Sequence, residues 1–300
     1  MISQQVTIHE VGPRDGLQNI APIISTQDKV RFINRLSKTG LTHIEVTSFV
    51  SPTWIPQLAD AKAVMDTIEK NPTITYSALV PNHIGLDNAL KSNTDKIAFF
   101  TAASDAFTQK NINCSIDDSI NVIRSLIPLA EKQQKAMRAY ISCIHTCPYT
   151  GAVRPQAVAQ LAKTLYDAGC QEIALGDTTG TATAHAVEAI ITEVSKHVPI
   201  PAIAMHFHDT YGQAIANLHH ALTLGISQFD AAIGGLGGCP YARGSTGNMA
   251  TEDAVYLLNG LGIEHNINLE ALIETSQWFT TLHGLPNHAK LSAMGNQGDD

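Results

Sequence analysis

The chain has 300 residues, of which 44% are apolar and 15% charged, with a net charge of −8. That length and mixture belong to a globular protein with room for a substantial core, as two small domains or one large one. The acidic balance and the absence of a basic run argue against nucleic acid or a membrane surface as a partner, and no apolar stretch approaches the roughly 20 residues that span a bilayer.

The opening MISQQVTIHEVG passes directly into a strand pattern without a signal segment. Together with five irregularly spaced cysteines (Cys114, Cys143, Cys147, Cys170, Cys239), this leads us to expect reduced thiols and a cytoplasmic setting. Short β-branched runs follow at Val6–Val11, His43–Phe49, Ile74–Val80, Lys96–Thr101, Met137–Ile144, Glu172–Asp177, Ile200–His208 and Gln228–Gly235. Between them lie segments with apolar residues three or four apart, such as Val30-Ile33-Leu36 and Val158-Leu161-Leu165, several ending at glycine (Gly40, Gly169, Gly225). Eight strands alternating with helices predict an α/β protein, a (β/α)8 TIM barrel, as a single domain over residues 1–286. Ile263–Gly284 reads as an additional C-terminal helical element, and Asn287–Asp300 as a polar, poorly ordered tail.

In such barrels reacting groups sit where strands end. Arg14 and Asp15 follow the first predicted strand, and Glu45 and Ser48 lie on the second. Cys143 to Cys147 close the fifth, Asp177 ends the sixth, and His206 and His208 end the seventh. His206 and His208, two apart on a strand, point the same way, as a metal site requires, although paired core histidines share that spacing. With Asp15 and Asn248 at the same rim, the donor set suits Mg²⁺ or Mn²⁺, with Zn²⁺ also compatible. Glu45 needs a cation beside it in an apolar strand, and Arg14 is the natural partner. Asp209 reads as a helix cap; Asp177 and Asn248 fit either a cap or a site.

Gly234–Gly247 holds six glycines in fourteen positions, with Cys239 among them. So flexible a loop is costly to order, which suggests a mobile cover presenting a thiol rather than a passive connection.

The segments EVGPRDGLQN (Glu10–Asn19), EVTSFVSPTWIPQLAD (Glu45–Asp60), KNINCS (Lys110–Ser115), CPYTG (Cys147–Gly151), LGDTTG (Leu175–Gly180), HFHDTYGQAIAN (His206–Asn217) and GGLGGCPYARGSTGNMATED (Gly234–Asp253) resemble the 3-hydroxy-3-methylglutaryl-CoA lyases across nearly the whole chain. The resemblance implies a metal-dependent barrel that cleaves this acyl-CoA to acetyl-CoA and acetoacetate, as in leucine degradation and ketone body formation, and works as a homodimer. It implies Asp15, His206, His208 and Asn248 as metal ligands. Arg14, Asp15, Glu45, Asp177, His206 and Cys239 fall on catalytic positions. Arg14 would stabilise the enolate, Asp15 or His206 would take the hydroxyl proton, and Cys239 would act as acid/base. Gln18, Ser48, Tyr140 and Thr178 fall on substrate-facing positions. Thr179 and Ala182, and His145 and Thr146, depart from the family's usual residues and are expected to reshape the acyl pocket. A longer or differently branched 3-hydroxyglutaryl-CoA, or a related aldolase or synthase, is the alternative reading. A zinc hydrolase, whose His-x-His pair normally follows the first strand, and a non-catalytic acyl-CoA binder fit less well.

Overall fold

The computed structural model describes residues 4–238 and 247–292. Eight parallel strands close into a barrel: β1 (Thr7–Glu10), β2 (His43–Ser48), β3 (Thr75–Leu79), β4 (Lys96–Ala102), β5 (Ala136–Ser142), β6 (Glu172–Asp177), β7 (Ile203–Phe207) and β8 (Gln228–Ala231). They pair in chain order, and β8 closes against β1 with Thr7 opposite Gln228 and Glu10 opposite Ala231.

All eight predicted strands are present, most of them trimmed at an end, and at three the backbone shows why. Residues 200–202 wind into a tight turn that follows Pro199 and contains Pro201, which has no N–H for a ladder, so β7 starts at Ile203. Cys143 adopts a left-handed φ of 58°, ending β5 at Ser142. After β8, Ile233–Gly235 forms a single turn that needs a positive φ of 64° at Gly234.

The ring of helices comprises α1 (Thr26–Leu36), α2 (Ala61–Thr67), α3 (His83–Leu90), α4 (Asp105–Ile112), α5 (Ile116–Lys132), α6 (Pro155–Ala168), α7 (Ala184–Val194), α8 (Ala214–Thr223) and α9 (Thr251–Leu261). Four of them, α1, α3, α4 and α5, start on a short polar side chain: Ser25 accepts the Asp28 amide, and Ser115 and Asp118 form a reciprocal capping box. The extra C-terminal element is α10 (Leu269–His283), whose Phe279 stacks on Phe32 of α1 with ring centres 4.0 Å apart. Among the described residues no helix is long and apolar enough to cross a membrane.

Apolar side chains fill the layer between strands and helices, including Ile8, Phe32, Ile44, Phe99, Ile173 and Phe229. Inside the barrel a small cluster of Leu79, Ala98, Tyr140, Ala174 and Ala204 sits among ions. Lys96 Nζ lies 2.5 Å from Glu172 Oε2, Arg138 Nε lies 2.9 Å from Glu172 Oε1, and Arg138 also binds Asp230. Charges in so dry a place persist only when paired.

Two further buried carboxylates fasten the loops at the C-terminal end of the strands. Glu10 Oε1 accepts the amides of Gly12 (2.8 Å) and Ile233 (3.0 Å), and its Oε2 accepts the Thr251 hydroxyl at 2.6 Å. Glu252 accepts the Gly234 amide through both oxygens. Burial pushes each carboxyl up to about 7.

The stretch expected to begin a loose tail is docked instead. Asn287 Nδ2 donates to Ser276 Oγ, the His288 amide donates to Gly234 O, and Ala289 is buried. The physical reason is that α10 leaves polar groups beside the Gly234 turn, and this segment satisfies them. Residues 293–300 lie outside the described residues.

Because the folded carboxyl of Glu10 titrates near 7 and an unfolded one near 4.5, its contribution to stability is greatest below 4.5 and is lost as pH rises to 7. Glu10→Gln, which mimics the protonated form, should therefore match the wild type at pH 5 and exceed it by roughly 1–3 kcal/mol at pH 8. Denaturant melts at the two pH values measure this, and equal gains at both would contradict it.

Candidate active site

The polar rim begins with the turn after β1. The amides of Arg14, Asp15 and Gly16 all converge on Val11 O at 2.8 to 3.1 Å, so Gly12–Gly16 coils into one wide turn that aims Arg14 and Asp15 inward. Gly12 is required there, since a Cβ would stand 2.5 Å from Glu10 Oε1. Across the mouth, His206 ends β7 and His208 follows it, with their Nε2 atoms 3.3 Å apart. Ligand atoms of Asp15, His206 and His208 all lie within 4.8 Å of one another.

Asn248 is stitched to this triad by backbone pairing. His208 and Asn248 form an antiparallel bridge, with the Met249 amide on Phe207 O and the Asp209 amide on Gly247 O. Its Nδ2 donates to Asp15 Oδ2 at 2.8 Å and to Leu236 O at 3.0 Å, while its Oδ1 is buried with no hydrogen-bond partner. A carboxylate, two imidazoles and an orphaned buried amide oxygen form the donor set that a divalent cation fits, because the cation would satisfy the oxygen that the protein does not.

Arg14 is pinned from two sides. Its Nε binds Glu45, and its Nη1 lies 2.6 Å from Asp15 Oδ1. Tyr140 OH donates to the other Glu45 oxygen at 2.7 Å, and the guanidinium carbon of Arg14 stands 5.3 Å from the Tyr140 ring centre. Burial opposes ionisation of Asp15, but Arg14, His206 and His208 outweigh it and hold the carboxyl at about 2. Beyond these groups opens a cavity of about 450 Å³, lined by polar Arg14, Gln18 and Thr178 and by apolar Val50, Phe100 and Phe107.

A family model described as HMGL-like matches residues 5–279. The chain belongs to the HMGL-like family. It is 47% identical over 289 residues to a Pseudomonas aeruginosa protein named 3-hydroxy-3-isohexenylglutaryl-CoA/hydroxy-methylglutaryl-CoA lyase, covering 96% of both chains. A Bacillus subtilis HMG-CoA lyase structure superposes with a TM-score of 0.96 at 44% identity, covering 99% of each chain. An Acinetobacter baumannii HMG-CoA lyase, solved with coenzyme A and 3-methylmalate, gives 0.95 at 32% identity, covering 100% of this chain and 98% of that one.

The HMGL-like barrel thus brings Arg14, Asp15, Glu45, Tyr140, His206, His208 and Asn248 into one site, with Gln18 and Thr178 on the cavity wall. It does not bring Asp177 there. That carboxylate accepts the Ala182 amide at 2.9 Å and sits opposite Phe207 on the outer side of β6, so it braces its own loop. Ser48 is fully buried behind the wall, with its hydroxyl on Leu79 O. Asp209 accepts the Ala214 amide at the start of α8, as a cap does. None of His145, Thr146, Thr179 and Ala182 borders the cavity, so the family departures leave its lining intact. Thr179 bonds Thr181 instead, and Thr146 joins a short hairpin with Ala152. Cys239 lies outside the described residues.

Three residues were missed in the sequence. Asp230 lies 3.0 Å from His206 Nδ1 and accepts from Arg138, and Asn19 Nδ2 donates to Gly238 O at 2.8 Å. A charge inside an apolar strand, the signal used for Glu45, was equally present for Asp230 and Arg138.

Gly237 packs so tightly on the site, at φ 115°, that a Cβ would meet Asn248 Nδ2 at 2.5 Å. Gly237→Ala should therefore lower turnover by about 10–100-fold through the displaced amide. Gly260→Ala, whose Cβ meets nothing in α9, should keep full turnover and gain about 0.5–1 kcal/mol. Steady-state assays and melts of both variants check the contrast.

Proposed function

We propose that the protein is a divalent-metal-dependent lyase that cleaves 3-hydroxy-3-methylglutaryl-CoA to acetyl-CoA and acetoacetate. The observation that carries this reading is the triad Asp15, His206 and His208 with the unpartnered oxygen of Asn248, next to a guanidinium fixed by Glu45. Two nitrogens, a carboxylate and an amide oxygen leave octahedral positions for substrate and water oxygens, which suits Mg²⁺ or Mn²⁺. Lewis acidity at this point, which a bound cation supplies, lowers the pKa of a tertiary hydroxyl.

The remaining tasks fall to the chain's own residues. Asp15 takes the hydroxyl proton, since His206, with Nδ1 against Asp230 and Nε2 in the triad, has no lone pair to spare. The C2–C3 bond then breaks, its electron pair passing to C2 and onto the thioester oxygen, which faces Arg14. A guanidinium already held by Glu45 and Asp15 needs no reorganisation when that charge arrives. Tyr140 keeps Glu45 in place by donating to it. Protonation of C2 completes acetyl-CoA, and by family resemblance Cys239 supplies that proton. A cytoplasmic setting fits the free thiols Cys114, Cys147 and Cys170.

A longer 3-alkyl branch is a second reading. It is favoured by the apolar residues of the cavity lining, Val50, Leu79, Phe100 and Phe107, which offer more surface than a methyl group needs, and by the name of the Pseudomonas aeruginosa relative.

Product analysis with the methylglutaryl thioester and its isohexenyl homologue decides between these readings; no acetyl-CoA from either would refute both. Chelation should abolish cleavage, and Mg²⁺ or Mn²⁺ should restore it, whereas activity that survives exhaustive chelation removes the metal. Arg14→Met should lower kcat by about 10³-fold or more with KM changed only a few-fold, since the guanidinium acts on charge that develops in the transition state. A rise confined to KM would assign Arg14 to ground-state binding.

A further inference from the structure

Asp230 does not line the cavity, yet it touches a member of the triad from behind. It stands opposite His206 on β7 and His9 on β1, with its side chain inside the barrel and fully buried. One oxygen accepts from Arg138, and the other lies 3.0 Å from His206 Nδ1. Arg138 is tied in turn to Glu172, which also holds Lys96. The chain of pairs leaves Asp230 no freedom to rotate away from the imidazole. The guanidinium of Arg138 against one oxygen makes Asp230 the anionic half of a buried ion pair.

We infer that Asp230 is a positioning residue that selects the Nδ1–H tautomer of His206 and thereby directs a bare Nε2 lone pair toward Asp15 and His208. The argument is one of hydrogen-bond roles. An ionised carboxylate only accepts, so the proton on the shared contact must sit on Nδ1. Nε2 is then left without a proton, the state a metal ligand needs. An amide at position 230 reverses this. Arg138, which only donates, would claim the amide oxygen, leaving the NH₂ group to face Nδ1. Nδ1 must then accept, which moves the proton to Nε2 and closes the ligand position. The inference rests on the metal reading for its purpose, but the tautomer is defined in the metal-free protein.

The test uses the full-length protein with ¹⁵N-labelled histidine. Long-range ¹H–¹⁵N spectra of the metal-free wild type, with His206 assigned by its absence in His206→Gln, should show Nδ1–H. Asp230→Asn should show Nε2–H and bind Mn²⁺ about 10–100-fold more weakly by calorimetry, with an unchanged circular-dichroism spectrum. A merely structural carboxylate would lower the melting temperature and leave the tautomer alone. An Nε2–H signal in the wild type overturns the inference even if the variant does not fold, and so does Mn²⁺ affinity in a folded Asp230→Asn within twofold of wild type. His208→Ala serves as the control for the triad. If wild type and His208→Ala bind Mn²⁺ alike, the metal reading fails, while the tautomer spectra still decide the role of Asp230.

Discussion

The constraint on which the site depends is that every charge inside this barrel must find its counter-charge within the protein. A lone ion removed from water costs several kcal/mol, and removing one partner of a buried pair typically costs about 3–5 kcal/mol. The barrel interior answers with a continuous run of pairs. Lys96 and Arg138 share Glu172, Arg138 reaches Asp230, and Asp230 meets His206 at the rim. A second set links Tyr140 to Glu45, Glu45 to Arg14 and Arg14 to Asp15. Both sets end at the same three ligand atoms. The floor of the barrel thereby fixes the orientation of its mouth, which a floor of aliphatic side chains could not do.

The loops are fixed by different means. Buried carboxylates act as acceptors for backbone amides that have no strand or helix to join. Glu10 ties the turn carrying Arg14 and Asp15 to the turn after β8, and Glu252 holds the next amide along. Asp177 and Asp209 do the same for the openings of the two intervening loops. On this face a carboxylate is therefore as often a backbone fastener as a reacting group. What separates the two kinds is the partner: each fastener accepts at least one backbone amide, whereas Asp15 and Glu45 bond side chains.

That distinction explains what was legible in the sequence. The strands were readable because their β-branched runs are long and regular, and their errors came at Pro201, Cys143 and Gly234, where one residue's backbone decides the end. The His206/His208 pair was readable because two-residue spacing on a strand leaves one geometry. Asp177 was not, because an aspartate ahead of Thr178 and Thr179 looks the same whether its oxygens meet amides or a substrate. Asn248 stayed ambiguous because its place is set by a bridge to His208, forty residues earlier, that local pattern does not encode. Asp230 was overlooked although its strand, QFDA, carries the same misplaced charge that exposed Glu45.

Asp15 is where the two electrostatic sets meet, and this bears on how the proposed cleavage is organised. One of its oxygens binds Arg14, and the other binds Asn248 and lies 4.0 Å from His206 Nε2. In the proposed reaction negative charge begins on a hydroxyl oxygen beside the triad and ends on a thioester oxygen beside Arg14. A carboxylate bonded to both ends keeps their separation fixed while the charge moves. Two of the five N–H donors of Arg14 are taken by Glu45 and Asp15, and among the described residues the others are left for a ligand. The guanidinium is thus neutralised enough to be buried and still has donors to offer. A lysine could not meet both demands, since its ammonium has no rigid fork to divide between anchoring and binding.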